Sequence, residues 1–268
     1  MNYHSDKWIM NRVREHYNEA LEHFPTDRIV GIFLQGSQNY QLDVETSDID
    51  TKLIVAPSLE DIAMLRKPVS TTHIRQNSEH IDFKDIRLYI DTFRQQNLNF
   101  LEILFTPYCL IHPLYAVEWQ KLVDNREAIA HYNPVRTVRS MTGIAHNKYR
   151  LLCSESPNHI QDFRKYGYSP KEAAQLIRIL DFLTQFVEGA AYEDCMKPLK
   201  TNTIIDVKKG IFPKDVIIEA ANIAIRAIDE IHDDVIDNND DVYDQNVENL
   251  LQEVQYNIMK IAMQEELK

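Results

Sequence analysis

The sequence predicts an α/β core followed by an all-helical second domain, and three observations carry that prediction. Over the first hundred or so residues, short β-branched and aromatic runs bounded by turn residues alternate with helically spaced apolar positions. Beyond Pro113 the apolar residues keep helical spacing and little strand signal is left. With 268 residues, 44% hydrophobic and 26% charged, the chain has an ordinary globular composition and enough length for two modest domains.

The elements come in order along the chain. Residues 2–24 place Trp8, Val13, Tyr17 and Leu21 near helical spacing, and Pro25 ends that helix. Ile29-Val30-Gly31-Ile32-Phe33-Leu34 reads as a buried strand that stops at Gly36-Ser37. Residues 48–55 read as a second strand, whose period of two would set Asp48 and Asp50 on one face and Ile49 on the other. A short helix is expected over 59–66, closed by Pro68, and a third strand near 79–84 with His80, Asp82 and Lys84 on one side. Asp85 sits where that pattern stops and suits a helix N-cap. Residues 88–105 read as one or two helices, broken around Asn97-Leu98-Asn99 and stopped before Pro107. Further helices are expected over 135–152, 170–189, 214–232 and 247–267, with Pro170 in a first turn. The boundary falls between Pro107 and Asn133; we set a core domain at 1–115 and a helical domain at 116–268.

Composition narrows the function classes. Cys109, Cys153 and Cys195 have neither CxxC nor His-paired spacing, so no zinc site and no disulfide framework is expected. The chain start lacks a basic segment followed by an apolar one, and no apolar run reaches membrane-spanning length; a cytoplasmic protein without membrane attachment is the expectation. A net charge of −12 argues against sequence-blind nucleic-acid binding. The charge is uneven, however. Residues 229–268 hold twelve acidic and two basic residues, whereas residues 136–178 hold eight basic and three acidic ones, a segment able to meet a polyanion. The acidic run from Asp237 imitates a calcium loop, but its sixth place is Val242, a β-branched residue ill suited to the sharp turn required there. An acidic connection between two helices is the better reading.

Two carboxylates on one strand face repel one another unless a proton or a cation intervenes. Magnesium suits the case, because it is typically shared between one or two carboxylates and substrate phosphates. A glycine at a strand end lets a phosphate approach the backbone, and Ser37 adds a hydroxyl and an N–H. Asp82 supplies the third carboxylate that a catalytic version of this arrangement calls for.

Gly36-Ser37, then Ser47-Asp48-Ile49-Asp50, then Asp82 on a later strand, resembles the DNA polymerase β-like nucleotidyltransferase superfamily. Asp82-Phe83-Lys84, the segment from Asn97 to Phe105, Gly143-Ile144-Ala145-His146, and Tyr166-Gly167-Tyr168-Ser169-Pro170-Lys171 with Arg178 are similar to the bacterial and phage group described as RNA-ligase-associated nucleotidyltransferase-like proteins. The resemblance covers about residues 28–190. It implies a nucleotidyltransferase core with a small mixed sheet, a helical second domain, transfer of a nucleoside monophosphate from a nucleoside triphosphate, and dependence on Mg²⁺ or Mn²⁺. This chain has Asn39-Tyr40-Gln41 where many relatives have a glycine or small residue soon after the Gly-Ser.

The resemblance assigns expected roles. Asp48, Asp50 and Asp82 hold metal and carry catalysis, with Asp82 helping to deprotonate an acceptor hydroxyl. Gly36 and Ser37 position phosphates, and Lys84, His146, Lys171 and Arg178 are further nucleotide or phosphate contacts. His146 is equally well read as a helix-packing histidine, and Glu102 as the partner of an arginine. ATP is the first candidate donor. An RNA or tRNA end is the first candidate acceptor, ahead of a protein hydroxyl or a small molecule. A nucleotide-sensing or antitoxin-like module without turnover is the alternative of a different class.

Overall fold

In the computed structural model, which describes residues 2–155 and 160–268, the chain begins with helix α1, Asp6–Ala20. The Ser5 side chain caps it by accepting from the Trp8 N–H, and its buried stripe is Ile9, Val13, His16 and Ala20. Strand β1, Ile29–Gln35, is buried along nearly its whole length, as expected of its continuous apolar run. Strand β2, Asp50–Val55, begins two residues later than expected, so Asp48 lies in the approach to the strand and not on its pleat. Next come α2, Leu59–Ala63, with Ser58 and Asp61 forming a reciprocal capping box, then strand β3, Ser70–Ile74, and strand β4, His80–Asp85. Asp85 does cap α3, Ile86–Arg94, accepting from the Arg87 N–H. The chain continues through α4, Leu98–Leu101, a 3₁₀ turn at Glu102–Leu104, β5, Cys109–Ile111, and the helices α5, Ala116–Asp124, and α6, Arg126–Ala130.

The five strands form one small mixed sheet in the order β3-β4-β2-β1-β5. β2 and β4 run parallel, and the other neighbours are antiparallel. Across the sheet Gln35 pairs with Asp50, Lys52 with Asp82, and Ile54 with Lys84. One buried cluster joins Ile9 and Val13 of α1 to Leu53, Val55, Ile81 and Phe83 of the sheet. By alternation the opposite face carries Asp50, Lys52, Asp82 and Lys84.

Helices fill the remainder: α7, Pro134–Cys153; α8, Ile160–Tyr166; α9, Pro170–Val187; α10, Tyr192–Cys195; α11, Thr201–Lys208; α12, Lys214–Asn238; and α13, Gln245–Glu266. No helix among the described residues is long and apolar enough to cross a membrane.

The chain divides into two units. The first comprises Met1–Asn39, Asp43–Tyr132 and Tyr243–Lys268; the second comprises Tyr40–Leu42 and Asn133–Val242. This division differs from a cut at 115/116, because α5, α6 and α13 belong with the sheet. α13 is held there by Arg94, whose guanidinium meets both oxygens of Glu248 at 2.9 to 3.2 Å, and by Tyr132, which donates to the same carboxylate. Burial opposes ionisation of Glu248, yet the hydrogen bonds from Arg94, Gln252 and Tyr132 lower its pKa overall. In the second unit α9 is central, packed by α7, α10, α11 and α12 around Leu176, Ile179, Phe182 and Leu183.

Candidate active site

Gly36, directly after β1, has φ of +107°, a conformation that L side chains rarely adopt. The chain then turns through a 3₁₀ segment, Ser37–Tyr40, closed by the Asn39 N–H donating to the Gly36 carbonyl. The Asn39 amide secures the turn from both ends, donating to the Leu34 carbonyl at 3.0 Å and accepting from the Thr106 hydroxyl at 2.7 Å. Since the first N–H groups of any helical turn lack an internal acceptor, the N–H groups of Ser37 and Gln38 have no acceptor among the described residues. The Gly36 N–H points to buried Glu102 at 3.4 Å. That contact ties the 3₁₀ turn at Glu102–Leu104 to the loop after β1.

The same loop is tied to the aspartates. Pairing of Gln35 with Asp50 brings the end of β1 beside the start of β2, and the Gln38 side chain donates to the Asp48 carbonyl at 2.8 Å. Asp48 is exposed, whereas Asp50 accepts the His80 N–H at 2.9 Å. Asp82, on the neighbouring strand, accepts from Thr72 at 2.6 Å and meets Lys52 Nζ at 3.4 Å. The carboxylate chemistry suits magnesium. Their present arrangement does not: among the described residues no group of three or more His, Cys, Asp or Glu is placed to hold a metal ion.

Lys52 and Lys84 occupy the same sheet face. Their Nζ atoms lie 4.0 and 4.4 Å from the centroid of the Phe100 ring. Burial, and then the Lys52 charge, push the Lys84 pKa down, against the opposing pull of Asp82. Phe100 is itself positioned, since the fully buried Tyr89 meets its ring edge-on at 5.5 Å and donates to its carbonyl. Burial, followed by the negative charges of Glu102 and Asp82, raises the Tyr89 pKa well above the ordinary phenol value.

Behind the aspartate strand lies a buried polar network. Glu79 accepts the N–H of Ile49, the residue between the two aspartates, at 3.3 Å. Its other oxygen receives His16 at 2.9 Å, Arg75 at 2.8 Å and also Arg12. His16, with no exposed surface, bridges on to the Thr51 hydroxyl at 2.9 Å. Burial would raise the Glu79 pKa, but the hydrogen bonds from His16, the Asn77 side chain and Arg12 hold it well below the usual carboxylate range.

Three candidates lie in the second unit. His146 is half exposed and hydrogen-bonds Asp229 at 2.7 Å, in keeping with a histidine satisfied by a neighbouring helix. Lys171 is exposed at the start of α9. Arg178 is 5% exposed; its guanidinium stacks 4.0 Å over the Tyr40 ring, Nε and Nη2 reach Gln175, and Nη1 has no hydrogen-bond partner among the described residues. The basic segment is partly neutralised within the unit, because Arg136 and Arg139 pair with Asp241 and Lys148 pairs with Glu172. Asp241, from the stretch that imitates a calcium loop, is thus an ion-pair partner.

Lys52, Phe100, Glu79 and His16 were not singled out from the sequence. Lys52 left a signal, being a lysine directly ahead of the apolar Leu53-Ile54-Val55; His16 and Glu79 left none, since each meets the site through residues distant in sequence. No protein-family model matches the chain, and no curated protein matches it. Among solved structures the chain is similar to a nucleotidyltransferase-like protein from Exiguobacterium sibiricum 255-15, at 9% identity over 84% of this chain and 75% of that one, with a TM-score of 0.32. So distant a likeness carries no substrate or mechanism across, and any function for this chain stands on its own residues.

Proposed function

We propose that the protein is a nucleotidyltransferase, moving a nucleoside monophosphate from a nucleoside triphosphate, with ATP the first candidate, to an acceptor hydroxyl with loss of pyrophosphate. The observation that carries the reading is the pairing of Gln35 with Asp50, which sets the Gly36-Ser37-Gln38 turn, with two N–H donors that have no acceptor among the described residues, beside the aspartate strand. Phosphate oxygens suit such donors, and the positive φ of Gly36 leaves that backbone approachable. In this reading the Ser37 and Gln38 N–H groups and the Ser37 hydroxyl orient the phosphates. Asp82 Oδ2 receives the proton of the attacking hydroxyl. Asp48, Asp50 and Asp82 are the residues that would hold Mg²⁺ or Mn²⁺, which would supply neutralisation of charge on the phosphates. The acceptor is proposed to be an RNA end.

A second reading, a module that binds nucleotide without turnover, draws support from the engagement of Asp82 by Lys52 and Thr72. Incubation with each α-labelled triphosphate, Mg²⁺ and total RNA or lysate separates the two, because only an enzyme leaves label covalently attached to an acceptor. Ser37→Ala should weaken triphosphate binding about three- to tenfold by calorimetry, the loss of one hydroxyl hydrogen bond, with little change in melting temperature. Unchanged affinity in that variant would remove Ser37 from the phosphate site.

A further inference from the structure

Lys52 and Lys84 stand on adjacent parallel strands, and both ammonium groups rest on one aromatic ring, Phe100, at 4.0 and 4.4 Å. Lysines on a sheet face ordinarily run their heads out to water. Lys52 does not, being only 2% exposed. An ammonium has three donors, and among the described residues Lys52 has one acceptor, Asp82 at 3.4 Å, while Lys84 has no hydrogen-bond acceptor. Among the described residues Asp82 is thus the one hydrogen-bond acceptor that the two ammonium groups have between them, which leaves most of their donors unused. The attraction of a ring quadrupole is weak and does not replace those hydrogen bonds.

We propose that Lys52 and Lys84 form a two-ammonium subsite for a terminal phosphate carried by the acceptor, next to the carboxylate that faces the attacking hydroxyl. This rests on the nucleotidyl-transfer reading and narrows its acceptor to a phosphate-bearing RNA end, as opposed to an uncharged protein hydroxyl. A phosphate monoester matches the unused donors in kind: its oxygens accept several N–H bonds at once, and the bonds are charge-assisted. Asp82, whose side chain is 32% exposed, marks the edge through which such a group would reach the lysines. Phe100 provides the floor. It holds the two heads together when no anion is present, and Tyr89 fixes it from behind.

The test uses the full chain, with fluorescence anisotropy on a short labelled RNA bearing a terminal phosphate at the 5′ or 3′ end and on the same RNA with both ends hydroxyl. ATP binding is measured separately by calorimetry. One phosphorylated form should bind wild type about tenfold more tightly than the hydroxyl form, as expected for the loss of a charge-assisted pair. Lys84→Met should reduce that preference to less than about twofold, and Lys84→Arg should keep it. Lys52→Met combined with Asp82→Asn, which removes both charges of the buried pair together, should also lose the preference while remaining folded. Equal binding of phosphorylated and hydroxyl RNA by wild type overturns the subsite. Loss of ATP affinity in Lys84→Met with RNA preference intact also overturns it, assigning the lysines to the triphosphate. Absence of ATP binding by wild type would instead overturn the nucleotidyl-transfer reading, and the RNA comparison would still decide the lysines.

Discussion

Asp82 is the counter-charge of a lysine that cannot reach water. Three aspartates converging without metal would repel one another, and on that basis neutralising Asp82 should leave stability unchanged or improve it. Lys52 reverses the sign, because an Asp82→Asn substitution strands an ammonium that is 2% exposed. We expect Asp82→Asn to lower metal-free stability by about 1–2 kcal/mol, less than a fully buried pair would lose because Asp82 is partly exposed, read as a fall in melting temperature. A melting temperature at or above that of wild type would show that Lys52 finds another partner. The residues legible in the sequence were those whose chemistry is local. Gly36 at a strand end and Asp85 at a helix start both do what their neighbours dictate. The pairing of Lys52 with Asp82 was hidden because it depends on β2 and β4 being adjacent and in a given register.

Between elements, Glu79 joins α1, through His16 and Arg12, to the residue that separates Asp48 from Asp50. Its pKa is depressed by folding, so its stabilisation is fully present above the unfolded value near 4.5 and is lost as pH falls toward the folded value. Glu79→Gln should therefore cost about 2 kcal/mol at neutral pH, and its stability gap to wild type should close steadily below about pH 4.5 in urea titrations. A gap independent of pH would mean that shape, not charge, is what Glu79 supplies. Elements with strong patterns were legible: β1 from its apolar run, and α7, α9, α12 and α13 from their spacing. Strands β3 and β5 were not. Ser70–Ile74 is mostly exposed and shows no apolar alternation, and Cys109–Ile111 is too short for a period of two to register. Both lie at sheet edges, where pairing with a neighbour does what pattern does elsewhere.

For the molecule as a whole, the division into units depends on how α13 is held. Glu248, 9% exposed, takes the Arg94 guanidinium on both oxygens, and removing that cation leaves a carboxylate supported by Tyr132 and Gln252 alone. Arg94→Met should cost about 2–3 kcal/mol and speed amide hydrogen exchange along α13, with exchange in α9 of the second unit unchanged. Equal acceleration in both helices would mean that the two units unfold together. The sequence could not place α13, because its spacing is that of any amphipathic helix and says nothing about which surface receives it.

That membership sets an order of events during synthesis. The sheet and its first helices leave the ribosome early, but the unit they belong to is completed only by Tyr243–Lys268, while Asn133–Val242 emerges in between as an almost uninterrupted stretch. At translation rates of about 5–20 residues per second, the emerging sheet waits on the order of ten seconds for its last helix. The helical unit, nearly continuous in sequence, therefore has all its residues before the unit that contains the sheet does.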